Sequence, residues 1–123
     1  MENWILTWTK LTSLDEKSVE ALPNDLPGVY RLSYKADDAN YYVFYVGKAE
    51  DIKTRLLQHL SPNENNVCIK NYLSTKGCFF RYAKITKAAY IREAAERQMY
   101  KQYEPTCNEK EPEGRDDVKV NLT

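Results

Sequence analysis

A chain of 123 residues, 42% of them hydrophobic, is the size of one domain with one core, which excludes a two-lobed enzyme with a cleft between domains. Eighteen basic side chains balance eighteen acidic ones, which excludes a protein that coats nucleic acid by bulk charge. No apolar run approaches the ~20 residues that cross a bilayer, and Met-Glu-Asn-Trp lacks the basic start of a signal peptide, so the chain reads as cytosolic with no membrane partner.

In chain order, Trp4, Ile5, Leu6 and Trp8 predict a short opening strand, and Ser13 followed by Glu16 is a capping box for a helix ending near Pro23. Residues 1–27 therefore read as an N-terminal extension, a short strand plus a helix, packed on the domain. Pro27-Gly28 opens the β-rich run Val29–Tyr34, and a turn rich in Asp37, Asp38 and Asn40 separates it from Tyr41–Val46. The two runs predict a hairpin closed by Gly47. Asp51 is placed to cap a helix to about Leu60, with Ile52, Leu56 and Leu60 on the buried stripe and Arg55 and His59 one turn apart beside it. Asn66 to Thr75 predicts a second helix stopped by Gly77, and Cys78 to Ile85 a third core strand. Thr86 should cap the longest helix, Ala88 to Tyr103, whose inward stripe is Ala88, Ile91, Ala95, Gln98 and Met99. From Glu109 the chain becomes acidic and carries Pro112 and Gly114, the composition of a loosely ordered tail. Two adjacent strands, helices, a strand and a last helix make an α+β fold: a small, mainly antiparallel sheet flanked by helices.

Three cysteines, Cys68, Cys78 and Cys107, form neither a CxxC pair nor an even framework, and the single histidine, His59, has no cysteine near it in sequence. No disulfide staple and no structural zinc are expected, and the three thiols read as small core or surface residues. Charge is less even along the chain than in total. Lys plus Arg against Asp plus Glu runs 4 to 7 over residues 1–46, 11 to 5 over 47–101 and 3 to 6 over 102–123. A middle at plus six between two arms at minus three suits one central surface that meets a polyanion, and it equally suits lysine-rich solvated helices.

Gly28-Val29-Tyr30 and Tyr45-Val46-Gly47 are followed by Lys48, then by Arg55 and His59 on the next helix, Glu96 on the long helix, and Asn108 after it. This train resembles the GIY-YIG nuclease superfamily, with valine at both motif centres, and Glu96 to Asn108 resembles the end of the nuclease domain in the family's excision-repair members. The resemblance covers residues 28–108; fourteen residues separate Tyr30 from Tyr45, a longer connection than in those members. It implies a stand-alone, metal-dependent endonuclease that hydrolyses DNA by water and leaves a 5′-phosphate. DNA is the implied partner, single-stranded or branched as well as duplex, with specificity left to a protein partner or a homo-oligomer and no small-molecule cofactor. A non-catalytic binding module of the same fold and a ribonuclease are the alternatives.

The residue types suit that chemistry. Glu96, a hard oxygen ligand, would hold one Mg²⁺ or Mn²⁺, and a single carboxylate in the train disfavours two metals. Arg55 would grip non-bridging phosphate oxygens with its planar fork, and Gly47, Lys48 and Lys53 would complete the substrate contacts. The resemblance offers Tyr30 and Tyr45 as general base. Tyr30 is favoured, with Tyr45 orienting water or phosphate and Lys48 helping to lower a phenol pKa that starts near ~10. His59 would join in phosphate binding or proton transfer, and Asn108 would brace the site by hydrogen bonds. Taken one at a time these residues have plainer readings: strand tyrosines, a solvated basic flank, and a surface ion pair between Glu96 and Arg92 four residues earlier.

Overall fold

The computed structural model describes residues 1–123. Its centre is a four-stranded antiparallel sheet ordered β2 (Thr12–Ser13), β5 (Cys78–Lys84), β3 (Gly28–Lys35), β4 (Tyr41–Ala49). Three helices, α1 (Glu16–Glu20), α2 (Ile52–Leu60) and α3 (Val67–Thr75), cover one face, and α4 (Ala89–Tyr103) covers the other. A separate parallel pair joins β1 (Glu2–Trp4) to β6 (Val118–Val120). No helix is long and apolar enough to cross a membrane.

The middle strand carries the core. Gly28 to Ser33 are all buried, because β3 has a strand on each side and helices above and below. Tyr30 and Leu32 point toward Phe44, Ile52, Leu56 and Phe80 on the α1–α3 side, while Val29 points toward Val46, Ile91 and Met99 on the α4 side. This is the period-two alternation of a strand buried on both faces. Arg31 faces the second side, 5% exposed, with its guanidinium 4.6 Å from the Trp8 ring and 5.1 Å from the Tyr103 ring and a hydrogen bond donated to Leu122 O. Both rings supply the cation with π faces where no carboxylate reaches it.

The hairpin carries one irregularity. Leu32 pairs with Tyr45 but Ser33 pairs with Val43, so Phe44 is an extra residue in β4. With this bulge Phe44 and Tyr45 both pack against the α1–α3 core, as two consecutive residues of a regular strand would not. The bulge carbonyl, Phe44 O, accepts from the Cys107 N–H at 2.8 Å.

Several local expectations are corrected. Asp15, not Ser13, caps α1, its carboxylate accepting from the Ser18 N–H, and the helix ends at Glu20, before Pro23. Asp51 precedes α2, but its carboxylate accepts from Leu26 N–H and the Thr54 hydroxyl rather than capping the helix. Ala88, not Thr86, precedes α4, with no side-chain cap. Gln98 leaves the apolar stripe, where Ala94 replaces it: its amide donates to Val120 O at 2.6 Å and accepts from Val120 N–H at 3.1 Å.

The tail is not loose. Gly114 lies so close to α4 that a Cβ there would stand 2.6 Å from Glu93 O. Arg97 binds Asp116 at 3.0 Å and Pro112 O at 3.0 Å, and Val118 and Val120 are buried in β6. The alternation Val-Lys-Val overrides the disorder-like composition around it.

Cys68 and Cys107 form a disulfide, which corrects the expectation of three free thiols; Cys78 alone is free and buried. The two lie 39 residues apart in sequence, and only the packing of α3 against the turn after α4 brings them together. A bond closing a loop of 39 residues should stabilise the fold by roughly 2–4 kcal/mol, largely by restricting the unfolded chain. Urea unfolding of the oxidised protein against a Cys68→Ala variant should show that difference as a lower midpoint in the variant, with a larger m because its unfolded chain is less compact.

Candidate active site

The site forms where β4, α2 and α4 converge. In the register of the hairpin Tyr30 stands opposite Gly47, and the Tyr30 ring lies directly over that glycine. A Cβ at Gly47 would stand 2.5 Å from the Tyr30 hydroxyl oxygen, so no larger residue fits beneath the ring. Gly28 plays a similar part at the other end of β3, where a Cβ would stand 2.1 Å from Ala83 O. The glycines of the paired tripeptides are thus required by packing of the tyrosine and the sheet. Gly47 is buried under Tyr30, which corrects its expected place among the substrate contacts.

A cleft of about 620 Å³ opens beside Gly47, lined by Tyr45, Lys48, Arg55, Glu64, Glu96 and Asn108 together with the first residues of the tail. Tyr45 comes from β4 next to the bulge, and its burial raises the hydroxyl pKa while the Arg55 charge opposes the rise. Glu96 reaches in from α4, its side chain 14% exposed, 3.9 Å from Lys48 Nζ. Burial pushes the Glu96 carboxyl above its usual range, opposed by the Lys48 ammonium and backbone N–H. Lys48 also lies 3.9 Å from Glu93, at a site open enough that both contacts are loose. The plainer reading of Glu96, an ion pair with Arg92, does not form: Arg92 turns instead to Ile85 O at 3.4 Å.

Asn108 braces the open edge of the sheet. Its Nδ2 donates to Val46 O and its Oδ1 accepts from Val46 N–H, both at 2.9 Å. Lys53 does not join the cleft; its ammonium lies 3.3 Å from Asn24 Oδ1 on the other flank of α2.

Tyr30 and His59 sit behind the cleft wall. Tyr30 is fully buried, its Oη 2.7 Å from His59 Nε2, and burial holds its pKa well above the usual phenol value. His59 is 1% exposed, which corrects its expected contact with phosphate. Burial first, and the Arg55 charge second, lower its pKa to about 4, so the ring is neutral at physiological pH. The Tyr45 ring packs edge-on against His59, with centroids 5.2 Å apart, and lies 6.2 Å from the Tyr30 ring.

Two features escaped the sequence reading. Glu64, in the loop after α2, turns its carboxylate to His59 Nδ1 at 3.3 Å with only 7% of its side chain exposed. Its nearest sequence signal is the spacing of five residues from His59, which no helical rule connects, because Pro62 intervenes. The second feature is the acidic strap: Glu109, Glu111 and Glu113 line the mouth of the same cleft as Arg55.

The donor set suits one hard divalent cation. Glu96 is a largely buried carboxylate whose cationic neighbour, Lys48, stands off at 3.9 Å, and no cluster of three or more His, Cys, Asp or Glu side chains offers a full protein cage. A magnesium-like ion that keeps most of its waters and takes phosphate oxygens needs no more than that.

The sequence matches the GIY-YIG catalytic domain over residues 26–111. Curated relatives include UvrABC system protein C of Rickettsia rickettsii (strain Sheila Smith), 35% identical over 81 residues that make up 66% of this chain and 12% of that protein. The same protein of Rickettsia felis (strain ATCC VR-1525 / URRWXCal2) is 33% identical over 81 residues, and the chain again spans only about an eighth of its relative. Among solved structures, the GIY-YIG N-terminal endonuclease domain of UvrC from Thermotoga maritima superposes with a TM-score of 0.54 at 20% identity, covering 76% of this chain and 93% of that one. That domain is a tyrosine-to-phenylalanine point mutant bound to its catalytic divalent cation. With 86 of 123 residues inside the family match, this chain belongs to the GIY-YIG catalytic domain family of phosphodiester-cleaving endonuclease domains.

Proposed function

We propose that the protein is an endonuclease that cuts DNA by water with the help of one divalent cation held at Glu96. The observation that carries this reading is the convergence of a carboxylate, a guanidinium and a phenol on one cleft: Glu96, Arg55 and Tyr45 come from three different elements and line the same 620 Å³ space. A binding module needs cations there but has no use for a largely buried carboxylate among them.

A scissile phosphate fits with its non-bridging oxygens on Arg55, whose planar fork meets two oxygens at once. Lys48 adds a point charge at the rim. A divalent cation held at Glu96 would supply positive charge where negative charge gathers in the transition state. Tyr45 is the group that faces the water on the opposite side and receives its proton. Tyr30, favoured on sequence grounds, is less suited to that task because it is sealed behind the cleft wall and already bonded to His59. Burial keeps Tyr45 a phenol at rest, so it gains a proton only as its own moves inward. Asn108 holds β4 in place and takes no part in bond breaking.

The substrate is proposed as DNA with few phosphate contacts. Of the basic residues between Lys48 and Lys101, Arg97 and Lys101 are engaged by Asp116, Arg81 by Thr9 O, Arg92 by Ile85 O, Lys70 by Pro62 O and Lys53 by Asn24, and only Lys48 and Arg55 of that stretch line the cleft. Binding should therefore weaken with salt along a shallow slope of about three to five released ions. Measured with Glu96→Gln protein, Arg55→Ala should lower affinity and flatten that slope by about one ion. An affinity independent of salt would move the polyanion to another face.

Glu96→Gln removes one charge and keeps the shape, so cleavage of labelled DNA should stop while folding and binding persist. Activity within a few-fold of wild type would remove Glu96 from the metal site. Tyr45→Phe should lower the single-turnover rate by about 10² to 10⁴, with a smaller loss for Tyr30→Phe. A larger loss in Tyr30→Phe would return the proton-accepting role to the buried tyrosine.

A further inference from the structure

Behind Tyr45 the structure contains a chain of polar groups that runs through the interior and returns to the cleft wall at Glu64. Tyr30 Oη is 2.7 Å from His59 Nε2, and on the far side of the imidazole Glu64 Oε2 is 3.3 Å from Nδ1. All three side chains are almost fully buried, at 0%, 1% and 7% exposure for Tyr30, His59 and the Glu64 side chain. His59 Nδ1 is the one buried side-chain polar atom without a well-directed hydrogen bond, and the Glu64 carboxylate lies 3.3 Å from it. A buried carboxylate beside a neutral imidazole is costly unless it sets something that the fold or the chemistry needs.

The direction of the chain follows from which ring nitrogen carries the proton. If Nε2 carried it, the Nδ1 lone pair would face the Glu64 carboxylate oxygen, two acceptors against each other. If Nδ1 carries it, the proton stands on the side of the Glu64 carboxylate, 3.3 Å away, and the Nε2 lone pair must accept from the Tyr30 hydroxyl. Glu64 is itself fixed: its Oε1 accepts from the Asn66 N–H at 3.2 Å, and its own N–H donates to Ser61 O at 3.1 Å, so Oε2 is the atom left for the imidazole. Asn66 in turn caps α3 through Ile69 N–H and donates its Nδ2 to Cys107 O at 2.9 Å, beside the disulfide. The loop that carries Glu64 is therefore held on several sides.

We infer that Glu64 is a positioning residue for the cleavage reaction: it holds His59 in the Nδ1–H form, which commits the Tyr30 proton to His59 and leaves the Tyr30 oxygen as an acceptor only, beside the Tyr45 ring whose centroid lies 6.2 Å away. Tyr45 can then direct its own proton inward and meet the attacking water with a lone pair. As water gives a proton to Tyr45, Tyr45 gives one to Tyr30 and Tyr30 gives one to His59 Nε2. The oxygen of water bonds to phosphorus, the bond to the 3′ oxygen breaks with its electron pair staying on that oxygen, which takes a proton from solvent, and one net proton has moved from the attacking water to an imidazole that faces Glu64. Four groups surround that imidazole: Arg55 on its own helix, Tyr30 on β3, Tyr45 on β4 and Glu64 on the loop. Burial and the Arg55 charge both disfavour a charged His59, and a phosphate anion bound on Arg55 removes the second of these causes. This role rests on the nuclease reading given above.

The fixed orientation of Glu64 makes one substitution diagnostic. In Glu64→Gln the amide oxygen stays on the Asn66 N–H, which needs an acceptor, and the NH₂ group then faces Nδ1. A donor there requires Nδ1 to accept, so the ring proton moves to Nε2 and the whole chain reverses. Because the protein has a single histidine, ¹⁵N-detected imidazole shifts report its tautomer without assignment. Wild type is expected to show the Nδ1–H form and Glu64→Gln the Nε2–H form at pH 7, with kcat lowered roughly 10- to 100-fold and KM nearly unchanged. Glu64→Ala, which offers neither donor nor acceptor, should give a mixture and an intermediate rate, and serves if the Gln variant fails to fold. A wild-type protein that cleaves DNA but carries Nε2–H overturns the role of Glu64 alone. A tautomer that reverses in Glu64→Gln without loss of kcat does the same. An Nδ1–H wild type that never cleaves nucleic acid overturns the nuclease reading instead, and the positioning role with it.

Discussion

The site depends on the fact that β4 is an edge strand. Tyr45, Gly47 and Lys48 all lie on it, and on its outer side the N–H and C=O of Val46 face no further strand. An edge left open frays and invites pairing with other chains. Asn108 meets both groups of Val46 with one carboxamide, and the preceding residue, Cys107, pairs its N–H with Phe44 O. Two residues after α4 thus act as the missing fifth strand, and the disulfide to Cys68 fastens them to α3. The backbone on either side of Tyr45 is held at three points, so a cleft side chain on an edge strand can keep its aim.

The same device appears twice more. Gln98 grips both backbone groups of Val120, and Asn121 grips those of Leu6, accepting from its N–H at 2.6 Å and donating to its C=O at 2.8 Å. A primary carboxamide carries a donor and an acceptor at the separation a neighbouring peptide would present, so it can close a strand edge without a strand. These clips let short terminal segments with little apolar area pack on α4, and they place the acidic strap along the mouth of the cleft. Three strap carboxylates, Glu109, Glu111 and Glu113, stand at that mouth beside Lys48, Arg55 and Lys110, so the plus-six middle of the chain does not become a broad basic groove.

Much of this was legible in the sequence where a local rule applied. Strand and helix positions for β3, β4, β5, α2, α3 and α4 follow from periodicity and from Gly, Pro and Asx punctuation. The resemblance carried by Gly28, Tyr30, Tyr45, Gly47, Glu96 and Asn108 agrees with the family match over residues 26–111. What stayed hidden was long-range. No local pattern pairs Cys68 with Cys107, sends Val118–Val120 to lie beside Glu2–Trp4, or turns Glu64 onto His59. Both tyrosines lie on the α1–α3 side of the hairpin, but which one meets solvent is decided by a bulge at Phe44 and by the depth of β3 between two helical layers. Sequence spacing fixes faces; burial follows from what packs on them.

Cleavage of end-labelled single-stranded, duplex and branched DNA, with RNA of the same sequences, in Mg²⁺, Mn²⁺ or EDTA tests the account most directly. The account predicts that DNA is cut in at least one of the two cations, that the products carry 5′-phosphates, and that EDTA stops the reaction. Cleavage undiminished in EDTA, or DNA that is bound in both cations and never cut, would contradict it.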